Sequence, residues 1–108
     1  NLYKADLQGA NMKGVDLARA NLSGANLKEV NLRDADLRKA DLSGANLKGA
    51  LLTDANLVGA KLVGANLSGA NLVRAKMMHT EVMGGNFQSA IMTHAMLSRA
   101  NLSQANLS

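Results

Sequence analysis

From Leu2 onward every fifth residue is large and apolar: Leu at seventeen of twenty-two positions, and Met12, Met77, Val82, Phe87 and Met92 at the rest. Two residues before each of these centres, from position 5 to position 105, stands a small residue. It is Ala at seventeen of twenty-one places, with Val15, Val30, Thr80 and Gly85 as the exceptions. The unit reads Ala-(Asn/Asp)-Leu-x-x, as in Ala25-Asn26-Leu27-Lys28-Glu29 and Ala35-Asp36-Leu37-Arg38-Lys39. A period of five suits neither regular element. On a helix, successive centres would advance by about 140° and scatter over every face. On one long strand they would alternate between the two sides. The pattern is satisfied if the chain turns a corner every five residues, with the centre and the small residue pointing inward and the other three pointing out.

If four such units close one coil, it holds twenty residues, and equivalent positions stack on the next coil at the strand spacing of about 4.8 Å. Five residues per side leave room for a very short strand and a turn. Nine of the ten Gly (9, 14, 24, 44, 49, 59, 64, 69 and 84) fall two residues after a centre, where a tight turn calls for permissive backbone. Pro is absent, as expected where neighbouring coils need every backbone N–H.

In these units the chain resembles the pentapeptide repeat family, whose pattern is (small)-(Asp/Asn)-(Leu/Phe)-x-x. The match runs through the whole sequence in one register. The resemblance implies an all-β fold, a right-handed quadrilateral parallel β-helix with a Leu/Phe ladder inside; at twenty residues a coil the chain makes about five coils. No linker or change of composition interrupts the beat, so residues 1–108 are expected to form a single domain. Stability should build up coil by coil, with weaker ends.

The chain has no Cys, which excludes a disulfide framework and a thiolate metal site. No apolar run is long enough for a membrane span and no signal peptide is visible, which points to the cytoplasm. The first residue, Asn1, lies inside the repeat, so an excised segment of a longer protein or an engineered rod is expected.

The formal charge is +4. Sorting outward residues by twentieth positions gathers Asp16, Ala18, Arg19, Asp36, Arg38, Lys39, Asn56, Val58, Gly59, Lys76, Met78, His79, Met96, Ser98 and Arg99 on one side, with five basic and two acidic groups. Lys13, Arg19, Arg33, Arg38 and Lys39 form a candidate basic patch on the first coils. Its functional reading is an anion-facing surface; its plainer reading is a solvated face interleaved with Asp. Nucleic acid is weighed against by the scarcity of aromatics, since only Tyr3 and Phe87 are present and Phe87 points inward.

Between residues 51 and 96 outward positions turn apolar: Leu51, Val58, Val63, Val73, Met78, Met83, Ile91 and Met96. Val58 stacks below Met78, and Val63 below Met83. With Met96 these form the candidate protein interface, since clustered apolar surface marks contacts and Met adapts to them. Self-association there is as well supported as a foreign partner. The plainer reading is that Val suits extended backbone and Met is tolerated. Phe87 is larger than Leu and the neighbouring Gly85 smaller than Ala, which reads as compensation of core volume.

Catalysis finds no support. His79 and His94 fall on different sides, the stacked pairs Asp16/Asp36 and Asp34/Asp54 face open solvent, and a convex rod offers no pocket. No cofactor is expected. The expected role is a non-catalytic structural or protein-interaction module, a rigid rod presenting flat sides to a partner. The best-understood members of the family bind type II topoisomerases as acidic DNA mimics, and the positive charge here departs from them. A substrate-recognition segment of a larger protein, such as some bacterial effectors carry, is the other alternative.

Overall fold

Each five-residue unit closes on a turn. The N–H of every small residue donates back to the carbonyl of the apolar centre three before it, as in Ala50 to Leu47 at 3.0 Å and Ala70 to Leu67 at 3.0 Å. The third residue of all twenty-one turns has positive φ, from 54° at Lys4 to 69° at Gly59, and the second does not. That combination defines a type II turn. The computed structural model describes all 108 residues. It contains no helix and no extended strand; single bridge residues alternate with turns along the whole chain.

The bridges set the register. They are parallel and always join positions twenty apart, from Asp6↔Asn26 to Asn86↔Asn106. Within one unit every N–H has a destination. In the unit Ala45–Gly49, Ala45 closes its turn onto Leu42 (3.0 Å). Asn46 donates to the preceding coil at Ala25 O (2.9 Å), while Leu47 and Gly49 donate to the next coil at Asn66 O (2.6 Å) and Ser68 O (2.9 Å). The fifth N–H, on Lys48, goes to the Oδ1 of Asn46 (3.2 Å). The periodic Asx residue therefore serves the one donor that the backbone ladder leaves over.

The centres and small residues stack into one buried cluster. Leu22, Leu27, Leu32 and their successors to Leu72 have no exposed surface, and Met77, Val82 and Phe87 continue the column. Leu2 to Leu17 and Met92 to Leu102 pack against that cluster but are only partly buried. The Cα envelope measures 27 × 23 × 22 Å. Thr80, the polar residue in the inward small series, is 1% exposed and donates its hydroxyl to Met77 O at 2.8 Å, so nothing polar is stranded inside.

Phe87 and Gly85 fit each other. A Cβ added to Gly85 would sit 3.0 Å from the Phe87 ring and 3.1 Å from the Val82 carbonyl. The aromatic ring occupies the space that Ala fills in other units, which bears out the compensation expected from the sequence.

Candidate functional site

The most variable side chains lie outside, and the interior is filled by the stacked core, so a site is a surface. Sixteen units carry Asn or Asp at the bridge position, and in all sixteen its Oδ1 accepts the N–H two residues on. Six units depart: Leu51, Lys61, Lys76, Glu81, Ile91 and Met96 stand there instead. The N–H groups of Thr53, Val63, Met78, Met83, Thr93 and Ser98 then have no protein acceptor. All six departures fall between 51 and 96, in the stretch where outward positions turn apolar. The apolar side chains there were expected from sequence, whereas the free backbone donors were not. The signal for them was the loss of the Asx beat itself.

The interface residues named from sequence fall in two columns. Val58 and Met78 occupy equivalent places on adjacent coils, set by the Asn56↔Lys76 bridge. Met96 lies diagonally above Met78, eighteen residues on. That is the separation at which Thr53 reaches Asn71 (3.2 Å) and Asn26 reaches Gln8 (3.4 Å) through their side chains. Val63 and Met83 form the second column through Lys61↔Glu81. The turn residues Gly59 and His79 and the bridge residues Lys61 and Glu81 separate the two. Val58, Val63 and Met78 are half-buried, while Met83 and Met96 are 44% and 46% exposed.

Of the five basic residues, Arg19, Arg38 and Lys39 surround a recess of 310 Å³ floored by Ala18. It opens because Ala18 is the smallest side chain in its column, below Arg38, Val58, Met78 and Ser98. Arg38 is committed internally. Its Nε and Nη2 grip Asp36 at 2.9 and 2.6 Å, which holds the Asp36 carboxyl below its usual range and raises Arg38. Lys13 and Arg33 stack in a different column, where Lys13 stands 3.9 Å from Asp34. Arg19, Arg33 and Lys39 make no ion pair.

The stacked carboxylates do not act as pairs. Asp54 is clamped from the next coil by Arg74 through Nε (2.7 Å) and Nη2 (2.6 Å), so its pKa is lowered rather than raised. Two carboxylates sharing a proton would push one pKa up. Asp41 is also lowered, chiefly by the N–H of Ser43. No three His, Asp or Glu side chains gather in a metal-holding group, and no helix is long and apolar enough to cross a membrane.

Similar five-residue units stacked at a register of twenty, with most variation on the outside, define a solenoid repeat protein. The family profile for pentapeptide repeats matches in eight copies, over residues 1–38, 16–54, 40–78, 50–88 and 80–108, and the chain belongs to the pentapeptide repeat family.

Solved structures agree. The chain is similar to a pentapeptide repeat protein from the thylakoid lumen of Arabidopsis thaliana, at 33% identity and a TM-score of 0.82, over 83% of this chain and 63% of that one. It is similar to another from Nostoc PCC 7120, at 37% identity and 0.74, over 88% and 82%. A third, from Cyanothece 51142, superposes at 28% identity and 0.59, over 94% and 86%. The chain thus spans just under two thirds of the Arabidopsis protein. No curated protein matches it. All three are described as pentapeptide repeat proteins, the family to which this chain belongs.

The cytoplasmic location expected from sequence does not stand, because the Arabidopsis relative is a lumenal protein. The physical reason is plain. Leu packing and backbone ladders hold this fold together, and neither is particular to one compartment.

Proposed function

We propose that residues 1–108 form one rod, a right-handed quadrilateral parallel β-helix of about five coils, whose flat sides bind a protein partner or a second copy. The geometric reading is supported by bridges at a constant separation of twenty and by four type II turns within each twenty residues. The binding surface is carried by Val58, Val63, Met78, Met83 and Met96. The observation that carries this reading is a coincidence on one stretch of chain. Where outward side chains become apolar, six of the ten units also lack the Asx residue that satisfies the turn N–H, although Asn56 still serves Val58. Exposed apolar groups beside unpaired donors suit a contact that covers the former and supplies acceptors to the latter. A DNA-mimicking role is opposed by the charge of +4, the reverse of what a DNA mimic presents.

The test is a quantitative pull-down from cell extract using the rod beside Met78→Ser/Met83→Ser, with the fold of both checked by thermal melt. A protein or second copy retained by the first and lost by the second is the expected result. Equal retention by both, or by neither, would remove these residues from the binding surface.

A further inference from the structure

The face built on residues 16–19 and their equivalents is not uniform along its length. Its lower end is the recess over Ala18, rimmed by Arg19, Arg38 and Lys39. Its upper end carries Val58, Met78 and Met96, flanked by Lys76 and Arg99. Lys39 joins the two ends: it lines the recess, and its Cγ stands 3.5 Å from where a Gly59 Cβ would be, so its aliphatic stem covers the coil beside Val58. Five cations and two carboxylates lie on this face, and one carboxylate, Asp36, is taken by Arg38. The free groups are Arg19, Lys39, Lys76 and Arg99 against Asp16.

The backbone adds to the same bias. Lys76 and Met96 occupy Asx positions, so the N–H groups of Met78 and Ser98, twenty residues apart and stacked on successive coils, lack acceptors. On the lower coils Asp16 and Asp36 satisfy the equivalent N–H groups of Ala18 and Arg38 (3.0 and 3.1 Å). The upper half therefore offers donors, cations and apolar area together.

We propose that this face docks an extended protein segment that is acidic at one end and apolar at the other, laid along the rod axis. The proposal rests on the protein-binding reading above and assigns the partner's chemistry. Carboxylates of the segment sit against Arg19 and Lys39 at the recess. Its apolar side chains cover Val58, Met78 and Met96, and its carbonyl oxygens accept from the N–H groups of Met78 and Ser98. Coils about 4.8 Å apart place the apolar part roughly 10–12 Å from the recess, or about three to four residues of extended chain. A nucleic-acid strand fits less well. Its phosphates would meet the apolar upper half, and the face holds no Phe, Tyr or Trp for bases to stack on.

The experiment is fluorescence anisotropy with labelled synthetic peptides and the whole chain. The acidic–apolar probe is Asp-Glu-Asp-Gly-Ser-Leu-Gly-Phe. In the comparison peptides Ser replaces Leu and Phe, or Lys replaces the acids, and a single-stranded oligonucleotide completes the set. The first peptide should bind at least about tenfold tighter than either half-matched one and weaken as salt rises. Arg19→Glu/Lys39→Glu and Met78→Ser/Met96→Ser, each confirmed folded by melt, should each weaken it by about tenfold or more. No advantage for the acidic–apolar peptide, tighter binding of the oligonucleotide, or indifference to either pair of substitutions would overturn the proposal. Should the Lys-bearing apolar peptide bind as well, and lose binding with Met78→Ser/Met83→Ser, the protein-binding reading would stand while this partner chemistry falls.

Discussion

Gly85→Ala is a substitution toward the repeat's own consensus, yet it should destabilise the protein. Gly85 does not have positive φ, so Ala suits its backbone, and the loss of freedom in the unfolded chain would favour the variant by about 0.4–1 kcal/mol. Against this, the new Cβ would meet the Phe87 ring at 3.0 Å and the Val82 carbonyl at 3.1 Å, both inside ordinary contact. Phe87 is 1% exposed and belongs to the buried core cluster, so the ring has little room to move. Overpacking of this kind costs about 1–3 kcal/mol, leaving a net loss of about 1–2 kcal/mol. Phe87→Leu alone should also cost about 1–2 kcal/mol, because Leu leaves unfilled the volume beside Gly85. The double variant restores the regular Ala/Leu rung and should return to within about 0.5 kcal/mol of the parent, giving a coupling of about 2–3 kcal/mol. Urea unfolding followed by circular dichroism measures all four proteins. Additive losses, or a Gly85→Ala variant more stable than the parent, would refute the packing argument.

Three further outcomes follow from the same structure. Leu57→Asp, or Leu47→Asp, places a carboxylate where the side chain has no exposed surface, and should abolish the cooperative melt; a retained one would contradict the inward assignment. Gly64→Val should lose at least about 1–2 kcal/mol in urea although nothing lies within 4 Å of the added Cβ, because the cost lies in φ of +65°; a neutral result would mean the turn can change type. Asp36, Asp41 and Asp54 all have lowered pKa values, so their contribution is present above the unfolded carboxylate value of about 3.9 and is lost as pH falls through the folded values. The melting temperature should therefore decline below about pH 4 on this account, and a decline beginning near neutrality would point to other groups.

The five-residue beat made most of the backbone legible before any coordinates. Leu at every fifth place, Ala two before it and Gly two after it led to inward centres, short bridges and turns, and each is where the sequence placed it. Turn conformation was legible only in part. Gly9 or Gly64 announces positive φ, whereas Arg19, Glu29 and Lys39 adopt the same φ without any sign in their identity. The quieter signal is that no β-branched residue occupies any of those twenty-one positions. The surface was less legible still. Column membership followed from arithmetic on residue numbers, but Arg38 gripping Asp36 along its own unit, and Arg74 gripping Asp54 across coils, depended on side-chain reach. The recess at Ala18 likewise appears only once its neighbours' long side chains stand around it.

Six methionines offer a direct view of the binding surface, because Met12, Met77 and Met92 point inward while Met78, Met83 and Met96 point out. The measurement is a methyl NMR spectrum of the rod labelled at its methionine methyls, recorded alone and with the protein retained in the pull-down. Outward binding on the proposed surface requires that Met78, Met83 and Met96 shift while Met12, Met77 and Met92 keep their positions. Unchanged outward methyls at saturating partner would contradict it.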